Sequence, residues 1–219
     1  MTIGIIGAGA IGQALAGRFV AAGEQVVISN SRGPRSLRGL VSSTGPGLLA
    51  ATVAEAAEEE VVVLAVPWRR LRAAVAAADV SDWQERIVID TTNPPGPPTG
   101  PPGPPTGPPG PPTGPPGSGP EGLGGRTSSE VVAGLVPGSR LVKAFNTLRP
   151  DVLGADPRTP AGRRVIFLSG NHPGANGRVA RIAGRVGWAA VDLGPLAEGG
   201  RLQQVPDGPL ATLHLVMES

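Results

Sequence analysis

The chain has 219 residues, of which 34 are Gly and 26 are Pro, and it contains neither Cys nor Tyr. The formal net charge is +2, and no apolar run approaches the roughly 18 residues of a membrane-spanning helix. The absence of Cys excludes disulfides, a thiol nucleophile and Cys-based metal sites, and it is typical of a reducing compartment. Because the first residues also lack a basic segment, we expect a cytoplasmic protein without a signal peptide.

The basic residues do not form a nucleic-acid patch. Of the 19 basic side chains all are Arg except Lys143, and they are scattered along the chain. Aromatic residues make up only 3% of the sequence, so stacking platforms for bases are missing. We therefore expect a small-molecule partner, with neither nucleic acid nor a membrane as a binding partner.

The first part of the chain alternates strands with helices. Thr2–Ile6 is predicted as a short strand, 10–22 as a helix and Gln25–Ser29 as a second strand. The continuous apolar run 61–66 is typical of a central parallel strand that is covered on both faces. Further segments of this part are predicted as strands at 48–52 and 86–90 and as helices at 54–59 and 68–78. This order predicts a parallel sheet with helices on both faces.

A Pro/Gly-rich segment at 94–120 interrupts this alternation. It repeats Gly-Pro-Pro-Gly-Pro-Pro-Thr, and 23 of its 27 residues are Pro or Gly. From 96 to 117 its glycines are spaced alternately by four and three residues, whereas collagen requires Gly at every third position. We expect an extended or disordered loop of the polyproline type.

The alternation resumes after the repeat. Thr127 and Glu130 have the spacing of a capping box, which predicts a helix that runs to about residue 135. The remaining predicted elements are strands at 140–144, 164–169 and 189–192, a helix at 174–186, and a tail that ends in a short helix. The predicted fold is a Rossmann-type, doubly wound α/β sheet with a dinucleotide-binding domain at 1–125, which contains the 94–120 loop, and a smaller α/β part at 126–219.

The motif Gly-x-Gly-x-x-Gly lies directly between the first strand and the first helix. Gly7 allows a tight turn, Gly9 lets a pyrophosphate approach the backbone, and Gly12 lets the helix pack closely on the strand. Ala10 and Ile11 open the helix, whose N-terminus favours phosphate charge. This arrangement predicts a bound dinucleotide.

The end of the second strand indicates which dinucleotide binds. An NAD site usually places Asp or Glu about 20 residues after the glycine motif, to bind the ribose hydroxyls. Here the chain continues with Ser31, Arg32 and Arg35, and no carboxylate lies between Glu24 and Glu55. Because hydroxyl and guanidinium groups suit an adenosine 2′-phosphate, we predict NADP as the cofactor.

Two further segments follow predicted strands, where ligands bind in open sheets of this kind. These are Ala65-Val66-Pro67, after the central strand, and Asn93-Pro94, after the strand that ends at Asp90. Either segment could equally be a proline that terminates its strand. Asp90 is expected to cap a helix or to be solvated.

Several segments together resemble one family, the F420H2:NADP oxidoreductases, also called NADPH-dependent F420 reductases. The resemblance covers nearly the whole chain outside the repeat. The segments that resemble the family are Ile3–Gly9, Ser29–Pro34, Val63–Pro67, Thr91–Pro94, Val142–Leu148 and Asp192–Leu196.

This resemblance implies a hydride transfer between NADPH and the 5-deazaflavin coenzyme F420, with F420 as co-substrate. It implies that Ser31 and Arg32 bind the 2′-phosphate, and that the protein orients two stacked rings without a catalytic acid or base. The residues it implies beside the ribose and the rings are Ala65, Val66, Pro67, Asn93, Ala144, Asn146, Thr147 and Leu148, of which Asn146 and Leu148 would orient the rings.

Alternatives stay open for the acceptor. Archaeal members of the family carry His where this chain has Asn146, and relatives with Asn there reduce flavins or metal centres. An imine or carbonyl acceptor would need a proton donor, and the chain has no Tyr. A non-catalytic NADP sensor, docked through the Pro-rich loop, is a further alternative. The loop could also cover the F420 pocket. The small C-terminal part, which would complete the acceptor cleft, favours a homo-oligomer, with a dimer expected.

Overall fold

The computed structural model describes residues 1–95, 123, 126–206 and 208–218. The prediction of an extended loop at 94–120 lies outside the described residues, apart from Pro94 and Pro95 at its start. No helix within the described ranges is both long and apolar enough to cross a membrane.

The described elements follow the predicted order closely. The strands are β1 (Thr2–Ile6), β2 (Gln25–Ser29), β3 (Leu48–Ala51), β4 (Val61–Leu64), β5 (Ile87–Asp90), β6 (Arg140–Ala144), β7 (Arg158–Thr159), β8 (Gly162–Gly170), β9 (Ala189–Asp192) and β10 (Val216–Met217). The α-helices are α1 (Ala10–Ala21), α2 (Arg38–Thr44), α3 (Val53–Ala57), α4 (Leu71–Ala77), α5 (Ser128–Ala133), α6 (Pro150–Gly154), α7 (Pro173–Val186) and α8 (Gly199–Leu202). Short 3₁₀ turns, Pro34–Leu37 and Trp68–Arg70, precede α2 and α4.

The sheet confirms the predicted doubly wound, Rossmann-type fold. Its strands run in the order β3-β2-β1-β4-β5-β6, and every neighbouring pair in this series is parallel. The order reverses between β1 and β4, which creates the crevice where open sheets of this kind bind ligands. The sheet continues across residue 125, because β5 pairs in register with β6.

The C-terminal strands depart from the predicted arrangement. β8 runs antiparallel to β6, and β10 runs antiparallel to β8, so the sheet is mixed at this end. The chain reaches β8 through α6 and the β7–β8 hairpin, which the sequence patterns did not predict, and a hairpin reverses the strand direction. The prediction of a helix at the end of the tail is wrong, since the last described element of the tail is the edge strand β10.

Apolar side chains cover both faces of the sheet. On one face, α1 and α7 bury residues such as Phe19 and Ile182 against alternate positions of the strands. On the other face, α3, α4 and α5 pack over the intervening positions. At Gly4 the approach of α3 is so close that a Cβ would lie 1.9 Å from the carbonyl oxygen of Ala56. The two layers hold the strand ends in fixed positions.

A buried ion pair joins the ends of β5 and β6. Lys143 donates to Asp90 Oδ2 at 3.1 Å and to the carbonyl oxygen of Thr92 at 2.9 Å, and the side chains of Asp90 and Lys143 are fully buried. Asp90 also accepts hydrogen bonds from the Thr92 N–H and hydroxyl. The expectation that Asp90 is solvated or caps a helix is therefore wrong. The two strands place Asp90 and Lys143 side by side in register, so the lysine neutralises the carboxylate.

The predicted capping box at the start of α5 is confirmed. The Thr127 hydroxyl accepts a hydrogen bond from the Glu130 N–H, and the Glu130 carboxylate accepts one from the Thr127 N–H at 2.6 Å. The hydrogen bond from the Thr127 backbone is the main cause that lowers the pKa of Glu130. An ionised Glu130 therefore stabilises the start of α5.

We predict that Lys143→Met lowers the free energy of unfolding by about 3–5 kcal/mol, because the Asp90 carboxylate would stay buried without a counter-charge. The double variant Asp90→Leu with Lys143→Met should recover much of this loss. Urea denaturation measures both variants. Arg149→Met is the control, because it breaks the exposed Arg149–Asp151 pair and should cost at most about 1 kcal/mol. Equal losses for Lys143→Met and Arg149→Met would contradict the prediction.

We predict that the stabilisation from Glu130 depends on pH. Because its folded-state pKa lies below the unfolded value, the stabilisation is present at neutral pH and is lost as the pH falls through the folded-state pKa. Glu130→Gln should therefore lower Tm at pH 7, and the difference from the unmodified chain should shrink towards about pH 3. Thermal unfolding across this range measures it, with the exposed Glu218→Gln as control. A difference in Tm between Glu130→Gln and the unmodified chain that stays constant with pH would contradict the prediction.

Candidate functional site

A cavity of about 480 Å³ opens at the crevice between the carboxyl ends of β1 and β4. One side is formed by the glycine loop after β1, and another by Asn30, Ser31 and Arg32 after β2. The third side comes from Ala65–Pro67 after β4 and from the face of α4 that follows. The cavity therefore lies at the point where the strand order reverses.

The three glycines of the first loop have the predicted geometry. Gly7 has a φ of +114°, and a Cβ there would lie 2.3 Å from the carbonyl oxygen of Ala65. A Cβ on Gly12 would lie 2.0 Å from the carbonyl oxygen of Gly7, so α1 can pack this closely on the loop only without a side chain. A Cβ on Gly9, by contrast, would meet no atom within 4 Å. Gly9 thus leaves open space on the cavity side, at the N-cap of α1.

The loop after β2 is held by its own hydrogen bonds. Asn30 Oδ1 accepts from the Arg32 N–H at 2.9 Å, and Asn30 Nδ2 donates to Ser36 Oγ at 2.9 Å. Gly33 has a φ of +81°, and the loop turns there into the 3₁₀ segment. The side chains of Ser31 and Arg32 are exposed and line the cavity.

The cavity lining is positively charged. Arg32 and Arg70 are its two charged side chains, and none of the described residues that line it is Asp or Glu. Over the described residues, neither guanidinium lies within 4.0 Å of a carboxylate oxygen. The cavity therefore suits an anionic ligand.

A second polar cluster lies at the same edge of the sheet, after β5 and β6. Asn93 Nδ2 donates to the Asn146 carbonyl oxygen at 2.8 Å, and Asn146 Nδ2 donates to Asn93 Oδ1 at 3.0 Å. Asn146 Nδ2 also donates to the carbonyl oxygen of Gln203 at 2.7 Å. The buried Gln203 side chain in turn donates to the Lys143 carbonyl and to Ser169 Oγ. Asn146 is thus held by Asn93 and by Gln203, and the side chain of Gln203 is in turn anchored to β6 and β8.

Phe145 determines how the chain leaves β6. It is buried, and its φ of +62° lies in the left-handed region that non-glycine residues rarely adopt. Its ring packs at 6.2 Å from that of Phe19 and at 5.2 Å from that of Trp188, measured between centroids. The packed ring holds this conformation just before Asn146. Backbone strain of this kind is concentrated at functional sites.

Residues 2–94 match the model of the family described as NADP oxidoreductase, coenzyme F420-dependent. Over these residues the chain is similar to NADP oxidoreductases. Its solved relatives include a hypothetical protein from Sinorhizobium meliloti, with 44% identity, a TM-score of 0.83, and coverage of 100% of this chain and 97% of that one. A protein from Arthrobacter sp. FB24, named as an F420-dependent NADP-reductase, is 25% identical with a TM-score of 0.70 over 90% of this chain and 86% of its own.

A curated relative of this chain is the metalloreductase STEAP3 of Rattus norvegicus. The two are 29% identical over 207 residues, which is 93% of this chain. The same alignment covers 36% of the rat protein. The chain therefore spans about a third of the length of this relative.

Part of the predicted site lines the cavity. The predicted residues found there are Gly7, Gly9, Ser31, Arg32, Ala65, Val66 and Pro67. Ala10, Ile11 and Gly12 lie at the start of α1, behind the glycine loop, and Arg35 is exposed outside the cavity lining. Asn93 and Asn146 pair with each other, Thr147 is buried beside them in the chain, and Ala144 and Leu148 pack in the hydrophobic core.

The sequence patterns missed several residues. Arg70, Ala73, Ala74 and Ala77 line the cavity from α4 and the 3₁₀ turn before it, and Gln203 holds Asn146. The spacing of the first four places them on one helical face, which is the signal that could have found them. Gln203 carried no such signal, because its contacts are distant in sequence. In the described part of the chain no three His, Asp or Glu side chains are grouped to hold a metal ion.

Proposed function

We propose that this protein transfers a hydride between NADP(H) and the deazaflavin coenzyme F420. The observation that carries the proposal is the cavity at the β1/β4 crevice, where an open glycine loop faces guanidinium groups and no carboxylate. The family match over residues 2–94 and the likeness to the Arthrobacter protein support F420 as the acceptor.

The cavity residues fit the cofactor. The open space at Gly9 gives a pyrophosphate access to the backbone N–H groups at the start of α1, and the helix N-terminus stabilises the negative charge. Ser31 and Arg32 would bind the 2′-phosphate, with Arg35 near the same loop. Ala65, Val66 and Pro67 would line the ribose and the nicotinamide. The missing acidic residue after β2 favours NADP over NAD, because a carboxylate would repel the 2′-phosphate.

The second cluster would position the reacting rings. NADPH supplies the hydride when it is bound, and F420 takes it up together with one proton from water. Asn146, held by Asn93 and Gln203, would fix the polar edge of the ring site. Ala144 and Leu148 pack in the hydrophobic core and would support the ring site from the core side. Thr147 is buried and lies between Asn146 and Leu148 in the chain. Orientation of this kind accelerates transfer without a protein acid or base.

A flavin or a metal centre is the second candidate acceptor. The likeness to the rat metalloreductase favours it, although the alignment covers only 36% of that protein. An imine or carbonyl acceptor requires a proton donor, and the chain has no Tyr. The sensor alternative requires NADPH binding without turnover of any acceptor.

The remaining expectations belong to the same proposal. They are a cytoplasmic location, a homodimer, and a division of roles between 1–125, which binds NADP, and 126–219, which completes the acceptor cleft. Sedimentation equilibrium on the full chain tests the dimer.

The first experiment mixes purified full-length protein with NADPH and oxidised F420 and follows the loss of the visible absorbance of the deazaflavin. We expect rapid bleaching with NADPH and much slower bleaching with NADH. NADPH binding by calorimetry without bleaching would contradict F420 as the acceptor. Parallel assays with a free flavin and a ferric chelate would then separate the second candidate from the sensor.

A second prediction concerns Gly9. Gly9→Ala should fold normally, because φ is −77° and its Cβ would meet no atom within 4 Å. The methyl group would nevertheless occupy the space proposed for the pyrophosphate, so we expect NADPH binding to weaken about tenfold or more. Calorimetry measures the affinity, and Gly17→Ala is a matched control in the same helix with equally open surroundings. Unchanged affinity of Gly9→Ala would place the pyrophosphate elsewhere.

A further inference from the structure

Three arginines follow β4 within four positions, and the fold separates them. Arg69, Arg70 and Arg72 are all exposed, but only Arg70 lines the cavity at the β1/β4 crevice. Arg70 ends the 3₁₀ turn directly before α4. In the sequence the three arginines are equivalent. In the structure, Arg70 is the one whose side chain lines the cavity.

Arg70 is the charged residue of an otherwise apolar wall. Ala73, Ala74 and Ala77 follow it at intervals of three, four and seven residues and line the same cavity. Their methyl groups offer neither charge nor hydrogen bonds. Ser31 and Arg32, on the loop after β2, line the same cavity. Arg70 thus adds a second guanidinium to a cavity whose other guanidinium comes from a different element.

The charge of the cavity lacks compensation within the described residues. Neither Arg32 nor Arg70 pairs with a described carboxylate, and no described Asp or Glu lines the cavity. Two guanidiniums together carry a charge of +2. A phosphate monoester carries about −1.5 to −2 at neutral pH. An adenosine 2′-phosphate is such a monoester, so its charge matches that of the pair.

We propose that Arg70 is a second cation of the 2′-phosphate site and that it contributes to the preference for NADP over NAD. This inference rests on the proposed function, because it takes NADP as the ligand of the cavity. Guanidinium groups suit the role because their N–H donors form paired hydrogen bonds with phosphate oxygens. The phosphate would be held between the loop after β2 and the turn before α4, so that both walls contribute to cofactor selection.

The experiment compares Arg70→Ala with Arg69→Ala and Arg72→Ala, which remove the same charge outside the cavity lining. Calorimetry on the full chain at low ionic strength measures the Kd of NADPH, NADH, adenosine 2′,5′-bisphosphate and AMP, because salt screens exposed charges. For Arg70→Ala we expect a loss of about tenfold for NADPH and the bisphosphate, and under about twofold for NADH and AMP. The two control variants should bind all four ligands like the unmodified chain, and Arg70→Lys should recover part of the loss.

The variant Arg32→Ala distinguishes a failure of the inference about Arg70 from a failure of the proposed 2′-phosphate site. If Arg32→Ala loses NADPH affinity selectively and Arg70→Ala does not, the inference about Arg70 is overturned and the proposed 2′-phosphate site stands. If Arg70→Ala weakens NADPH and NADH equally, Arg70 acts on the adenine or on the shape of the cavity, and the inference is likewise overturned. If the unmodified chain binds no NADPH, the proposed function itself fails. If Arg69→Ala and Arg72→Ala lose as much NADPH affinity as Arg70→Ala, the effect is one of general surface charge. The inference about Arg70 is then overturned as well.

Discussion

The close packing of the first glycine loop against β4 determines where the rest of the site lies. Gly7 touches the carbonyl of Ala65 at a distance that leaves no room for a Cβ, and α1 approaches the loop closely because Gly12 has none. A side chain at either position would push α1 or β4 outward. With both contacts formed, the N-terminus of α1, the end of β4 and the loop after β2 border one crevice. The cavity therefore depends on two positions without side chains, Gly7 after β1 and Gly12 in the first turn of α1.

The carboxyl edge of the sheet divides into a charged part and an amide part. Around β1, β2 and β4 the lining carries guanidiniums and open backbone, which suits a phosphate-bearing ligand. Around β5 and β6 the polar groups are buried amides that bond to one another and to Gln203. The Asp90–Lys143 pair lies beneath the amides, and Lys143 also binds the carbonyl of Thr92, the residue before Asn93. Charge at one end favours binding, while the hydrogen-bond network at the other end favours rigidity.

These two parts fit a protein that binds one redox partner tightly and orients another beside it. One relative is an Arthrobacter protein named as an F420-dependent NADP-reductase, and another is a rat metalloreductase, so the names of the two relatives differ in the acceptor. In the proposed function, the glycine loop would bind the cofactor through its backbone geometry, and the acceptor end would depend on a few exchangeable side chains such as Asn146. Acceptor choice could therefore change among relatives without any change in the sheet.

Local patterns in the sequence were enough for the Rossmann-type fold, the roles of Gly7 and Gly12 and the Thr127 capping box, because each depends on neighbours a few residues away. The predicted strands at the centre of the sheet were also accurate, since Val61–Leu64 is apolar at every position. Contacts between residues distant in sequence could not be predicted in this way. Lys143 meets Asp90 across 53 positions, and Gln203 reaches Asn146 across 57. Arg70 and Arg32 line one cavity although they follow different strands. The sequence by itself determined the type of fold and the glycine loop. The tertiary structure decided which polar side chains meet, because only strand register and helix packing bring distant residues within hydrogen-bond distance.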